Sequence, residues 1–420
     1  FVNRIEDEGL LDDVADAKKL LEESHGRPPD VVISSERHAL TMNIFEDVAV
    51  VGKPEVTFRD KLDNVLMHRN LGYVFLALIL YIFFNIVFSL GAAIEGPMME
   101  LFEEAVIPAV RARAGAGLVP YLFIGAVQGF AGGVGIVLPY LIPFLIGLAV
   151  LEDAGYLPRI AFLMDTFLHR MGLHGKSVLA RILGYGCSVP AVMDTRVLES
   201  DRDRCITATL ATMVPCAART TIILGLVAFF ISPAAALGIY ILNIVVIALS
   251  GTLLARLMPE ITPGLILEVP RYQIPSPGVV LKKTWLRAKE FVFIAWPLLF
   301  AGSVILAFLE YYEMDAVVNQ SLYPLTSLLL GLPVVVGTVL IFGILRKELA
   351  IVMLIQALGT SRVLDVMSST QIMTFVVFVT FYVPCLATIA VLIRELGKRR
   401  AGFVVIFTIV VATVMAFLTR

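Results

Sequence analysis

Three of the four cysteines each follow a residue that an α-helix tolerates poorly. Cys187 follows Gly186 in GYGCSVPAV, Cys216 follows Pro215 in MVPCAART, and Cys385 follows Pro384 in YVPCLATI. A helix interrupted inside a membrane exposes backbone carbonyls, and these are tolerated only where protein or a water-filled cavity satisfies them. Such carbonyls suit a desolvating cation, and the negative end of a helix dipole adds to them. A sulfur at the break narrows the choice of ion, because soft thiolates favour iron, zinc and cuprous copper over magnesium or calcium. Three cysteines at three breaks therefore read as a metal path. The competing reading is packing, since free cysteine is among the most buried residue types. Cys205, which follows DRDR at a helix start, fits packing.

Ionisable groups in apolar surroundings are costly and usually functional. Glu348, in LRKEL, is the leading carboxylate candidate for a metal ligand, against a local pair with Arg346 or Lys347. Glu152 and Asp153 end an apolar run and are secondary candidates, against a solvated helix terminus. Met193 and Met213 offer weak thioether ligands, with core packing as the alternative. Arg219 lies one turn after Cys216 and would repel a dication, so it reads as a structural or gating counter-charge. The histidines (25, 38, 68, 169 and 174) all lie in polar or interfacial stretches. An intramembrane enzyme with a cysteine nucleophile needs an adjacent base, and no histidine is placed for that.

The elements that must hold these residues are membrane helices. The chain has 420 residues, 58% hydrophobic and 16% charged, against about 25% charged in a soluble domain. Leu71–Ile94, Ala114–Leu151, Phe291–Leu309, Val366–Ile393 and Ala401–Thr419 carry no charge, and each can supply the roughly 20 apolar residues of a crossing. Between Arg204 and Arg256 the only charge is Arg219, and that run suffices for two crossings. The expected fold is an all-α polytopic membrane protein. A net charge of −2 gives no basic surface for nucleic acid. The cysteine pattern is not that of a secreted disulfide scaffold.

Val-Pro-Cys-x-Ala occurs twice, and a Pro-containing apolar helix ending in Leu-Glu precedes each copy. Between helix and motif each half has a Gly/Pro-interrupted segment, VLARILGYGCSVPAVM and LPVVVGTVLIFGILRKELAIVMLIQALG. Such segments at matching places in two halves point to a transporter binding site. By the positive-inside rule the Lys/Arg-rich linker and RELGKRR lie in the cytoplasm, and EYYEMD lies outside. These placements close only if both interrupted segments are re-entrant and the two halves are inverted repeats. The expected organisation is a soluble helical segment 1–64, a first crossing with an external loop 65–116, and a first gate repeat 117–258. A cytoplasmic amphipathic linker 259–290, a second repeat 291–400 and a last crossing 401–420 follow. In the soluble segment, Leu10, Val14, Ala17 and Leu21, then Leu40, Ile44 and Val48, recur at helical spacing. They predict two amphipathic helices separated by HGRPPD.

The stretches LEDAGYLPRIAFLMD, GLHGKSVLARILGYGCSVPAVMDTRVLE, DRDRCITATLATMVPCAAR, LRKELA and FYVPCLATIAVLIREL resemble the membrane domain of the prokaryotic ferrous iron transporter B (FeoB) family. The similarity runs in order from about Asp60 to the end. Ser188 stands where that family often has Asn, and Asp194 where a small residue is usual, which adds a secondary carboxylate near the first gate. The resemblance implies a multi-pass permease core of the cell (inner) membrane that carries Fe2+ as its substrate. It also implies a soluble N-terminal segment in the cytoplasm, being the end of a regulatory domain that follows a GTPase. GTP and Mg2+ would act only through that GTPase, small accessory iron-transport proteins are implied partners, and a homo-oligomer is compatible. HGKS carries only the tail of a phosphate-binding loop, with Arg170 where the first Gly belongs. Beginning at Phe1 without methionine, the chain is expected to be a piece of a longer protein. The main rival function is a carrier for nucleosides or another organic solute, which would want several Asn, Gln and Ser side chains at the breaks.

Overall fold

The computed structural model describes all residues except 1–7, 27, 50–57, 69, 116, 170–176, 199, 260–269, 271, 346–349, 359–362 and 383–384. The chain divides into two units, Phe1–Lys61 and Leu62–Arg420. In the first, α1 (Glu8–His25) packs on α2 (Pro29–Val48), with the Pro-Pro sequence starting the second helix. Leu20, Leu40, Ile44 and Val48 remain exposed, so this pair builds no core of its own. The helix α3 (Phe58–Leu66) spans the division.

Among the described residues of the second unit there is no strand, and six helical segments are long and apolar enough to cross a membrane. The first combines α4 (Leu71–Glu100), a π-helical turn and α5 (Ile107–Ala114). Its 43 continuous residues extend about 65 Å, well beyond the roughly 30 Å of hydrocarbon. The loop expected outside after the first crossing is thus helical as far as Ala114. Next, α6 (Leu118–Ala131) and α7 (Leu138–Asp153) are joined by a π-helical stretch, GGVGIV.

After α8 (Tyr156–His169) come the first interrupted segment, α9 (Ser177–Gly186) and α10 (Ser188–Asp194), which pack on each other about Cys187. Ten and seven residues reach about 15 and 10 Å, so neither helix can cross alone. The glycines of GYGC serve close packing. A Cβ on Gly186 would lie 2.4 Å from the Phe144 ring, and one on Gly184 would lie 3.0 Å from Val214 Cβ. Next, α11 (Asp201–Met213) stops at Val214–Cys216, and α12 (Ala217–Ile222) resumes and runs on as a π-helical turn to Ala228. The crossing helix α13 (Pro233–Leu257) closes this half.

In the second half α14 (Pro277–Tyr311) is one helix. The expected crossing from Phe291 therefore begins inside what the sequence suggested was a separate linker. It is followed by α15 (Asp315–Tyr323), then α16 (Val336–Leu345) and α17 (Ala350–Leu358), which pack together as α9 and α10 do. The thirteen residues of α18 (Ser369–Phe381), started by a Ser368–Gln371 capping box, match α11. Finally α19 (Leu386–Leu418) is two helices joined at Gly397, whose φ of 81° suits a residue without Cβ. The order of elements in one half thus repeats in the other.

At the centre, α11 and α18 are buried almost all round, with Leu210, Met213, Phe375, Phe378 and Phe381 fully enclosed. The run of apolar residues in α18 suits a helix enclosed in a core. Two of the three threonines of α11 bond within their own helix, Thr209 Oγ1 donating to Cys205 O at 2.8 Å and Thr212 Oγ1 to Thr209 O at 2.7 Å. On α4, by contrast, Val74, Leu78, Ile82, Ile86 and Leu90 face outward, as lipid contact requires. The equivalent helices α8 and α15 are anchored differently. Arg159 of α8 pairs bidentately with Asp63 at 2.6 and 2.9 Å and stacks on Tyr272, 3.6 Å from the ring centroid. Its hydrogen bonds hold the Asp63 carboxyl below the usual carboxylate range. In α15, Asn319 Oδ1 accepts from Thr338 N at 2.7 Å.

Candidate functional site

Each of the three cysteines flagged by sequence begins a helix: Cys187 is the N-cap of α10, Cys216 of α12 and Cys385 of α19. The dipole there is positive. Each cysteine also follows the negative end of another helix. The negative ends belong to α9, α11 and α18, which stop just before the same cysteines.

All three thiols are partly buried, and Cys187 lies within electrostatic range of both Cys216 and Cys385. Sulfurs from both halves therefore meet in one region. The close approach of Gly184 to Val214 holds the first interrupted segment against the α11 break, and α10 packs on both α11 and α19. Cys385 Sγ is 3.2 Å from Thr388 Oγ1. Among the described residues no three His, Cys, Asp or Glu side chains are grouped closely enough to hold one metal ion. Cys205 is buried within α11 and joins the hydrophobic core, as its sequence context suggested.

Several carbonyls at the two Val-Pro-Cys breaks accept hydrogen bonds from side chains. Arg219, 1% exposed, donates through Nη1 to Thr212 O at 2.7 Å and Val214 O at 3.2 Å, and through Nη2 to Tyr382 O at 2.5 Å. Asn243 of α13 donates Nδ2 to Met213 O at 3.0 Å. The C-terminal carbonyls that a helix leaves without intrahelical partners are thereby satisfied by protein. Arg219 lies within electrostatic range of Cys216 and Cys385. Its isolation in a charge-free run was the sequence signal, but nothing in that run revealed its partners. Thr388 and Asn243 were missed, as polar residues in apolar helices without further signature.

The secondary candidates separate. Glu152 is held by Lys283 Nζ at 3.1 Å and Arg287 Nη2 at 2.9 Å, and Asp153 accepts from Ser276 N at 2.9 Å. Both carboxylates thus fasten the end of α7 to the start of α14. Met193 and Asp194 line a cavity of about 120 Å³ with Leu183, Arg287 and Glu290. Beside it Arg196 forms a bidentate pair with Glu395 of α19, at 2.6 and 2.7 Å. Glu348 and His174 lie outside the described residues.

A family model described as "Nucleoside recognition" (Gate) matches residues 134–230 and 292–399, each containing one interrupted segment and one Val-Pro-Cys break. A second, described as "Ferrous iron transport protein B C terminus", matches residues 236–287. The chain is 28% identical over 413 residues to the Fe(2+) transporter FeoB of Methanocaldococcus jannaschii, covering 91% of this chain and 62% of that protein. Against the Fe(2+) transporter FeoB of Staphylococcus aureus it is 27% identical over 388 residues, covering 86% and 58%. A Porphyromonas gingivalis protein named as a fusion of Fe(2+) transport protein A and FeoB is 30% identical over 293 residues, covering 68% and 34%. The chain thus spans roughly three-fifths of the length of the first two relatives.

Proposed function

We propose that this chain, which belongs to the ferrous iron transport protein B family, is the membrane path of a ferrous iron permease. The observation that carries the reading is the meeting of Cys187, Cys216 and Cys385 at three helix N-termini drawn from both halves. Sulfur ligands favour Fe2+ over the hard divalent cations. A conducting site must also release its ion. The sulfurs act in turn, one or two at a time, with water or main-chain oxygen completing the shell. The cavity beside Met193 and Asp194 forms the next station, on the side where Arg196, Lys283 and Arg287 gather. That side is the cytoplasm by the positive-inside rule, and both interrupted segments are re-entrant there and opposite. A GTP-binding domain in the full-length protein regulates the path, and a small accessory protein assists it, in keeping with the fusion named above.

The test is ferrous uptake by cells carrying the full-length protein at equal expression. Cys187→Ser and Cys385→Ser each lower uptake about tenfold, the scale on which even outer-shell partners of a metal matter, while Cys205→Ser leaves it unchanged. Full uptake with Cys187, Cys216 and Cys385 all replaced by serine would sink the thiolate path. Transport of nucleosides in place of iron would favour the solute carrier suggested by the gate family's description.

A further inference from the structure

The use of Arg219 is unlike that of any other buried charge described in the molecule. Its Nη atoms reach main-chain oxygens of both halves, Thr212 and Val214 before Cys216, and Tyr382 before Cys385. Its Nε–H is buried and has no hydrogen-bond partner. Among the described residues no carboxylate forms an ion pair with it. An ionised group enclosed in this way is expensive unless its hydrogen bonds are good. A planar guanidinium fork can join several oxygens in fixed directions, whereas a lysine ammonium acts as a compact point charge on a flexible stem. Two helix ends that belong to different halves, with no hydrogen bond to each other among the described residues, are thus tied through one side chain.

We propose that Arg219 is the positioning residue of the permeation path: its guanidinium pins the two Val-Pro-Cys breaks together and sets the spacing of Cys216 and Cys385 at which a cation is held. The identity of the cation rests on the iron-permease reading, and the pin rests on the geometry alone. Val214 is two residues from Cys216, and Tyr382 is three from Cys385. A shift at either carbonyl therefore passes to a sulfur through a few backbone bonds. The same fixed positive charge beside the sulfurs opposes a dication and shortens its stay, which a path needs more than a storage site does.

The test has one arm without iron and one with it. In the first, the full-length protein in a Cys187→Ser, Cys205→Ser background is treated with a ladder of bifunctional thiol reagents of graded length, and Cys216–Cys385 links are read by peptide mass. The unmodified pin should favour one length. Arg219→Lys, which keeps the charge but not the fork, should spread the links over several lengths, and Arg219→Gln should do the same. Asn243→Ala, which removes a cap within one half, should keep the single length. In the second arm, Arg219→Lys should raise KM for ferrous uptake about tenfold while the maximal rate changes little, the pattern of weakened binding in ground and transition states alike. An unchanged length preference with an unchanged KM in Arg219→Lys overturns the pin. So does failure of both Arg219 variants to accumulate while Asn243→Ala accumulates, because Arg219 is then a folding requirement only. A sharp length preference in a protein that moves no iron removes the iron reading and leaves the pin in place.

Discussion

The two Val-Pro-Cys breaks share their motif and differ three residues further on. In the first half that position is Arg219, and in the second it is Thr388, both fully enclosed in the first turn of the helix that resumes. Arg219 occupies carbonyls of both breaks. Thr388 turns toward its cysteine and meets Cys385 Sγ at 3.2 Å. A repeated scaffold has thus divided two tasks between equivalent positions, holding backbone in one half and orienting a sulfur in the other. Two identical arginines would compete for one set of oxygens, and two threonines would leave the helix ends without a donor that reaches across.

The largest expected effect comes from erasing that difference. Thr388→Arg places a second guanidinium in a fully buried site whose nearby carbonyls are already engaged. An unpaired buried charge costs more than about 4 kcal/mol, so the variant should fail to accumulate in the membrane, as read by quantitative immunoblot. Normal accumulation would show that the two positions are interchangeable. A smaller change sharpens the contrast. Thr388→Val keeps the volume and removes only the hydroxyl, costing about 0.5–1.5 kcal/mol. The thermal midpoint in detergent should drop by a few degrees, with the spacing of Cys216 and Cys385 unaltered.

The smallest effect concerns α8 and α15, which are tied by a charged pair and by a neutral hydrogen bond respectively. The Asp63 carboxyl is held below its ordinary value of 3.8, chiefly by the hydrogen bond from Arg159. A depressed carboxylate adds stability that is complete above the unfolded pKa and vanishes as pH falls through the folded one. The gap in thermal midpoint between the native chain and Asp63→Asn should therefore be constant at neutral pH and close below about pH 4. For Asn319→Ala the gap should be flat throughout. A gap for Asp63→Asn that persists unchanged into acid would remove the ion pair from the account of how α8 is held.

Much of this architecture could be read before any coordinates. Gly-Tyr-Gly-Cys and the two Val-Pro-Cys motifs marked where helices stop, because glycine and proline act on the local backbone and leave a local signature. The boundaries of the interrupted segments followed for the same reason. Less legible was what lies between breaks. The end of the charge-free run at Ile94 suggested an external loop from there to 116, yet α4 and α5 continue to Ala114, since carboxylates beyond the bilayer face water and need not end a helix. The linker and the crossing at Phe291 merged into α14 because the basic residues after Pro277 are good helix formers. Glu152 and Asp153 were legible as charges but not as partners of Lys283, Arg287 and Ser276, more than 100 positions away in sequence. The position of each cysteine relative to a dipole was also hidden. A break has two helix ends, and only the fold tells which one owns the residue between them.

The partners of Arg219 are main-chain oxygens, so no side-chain exchange at Thr212, Val214 or Tyr382 deletes them. Those three positions are free to drift while the link between the halves endures, and covariation among relatives has nothing there to register. Two breaks brought together by one side chain can thus be parted by a single codon change, while the Arg196–Glu395 pair still joins the halves elsewhere.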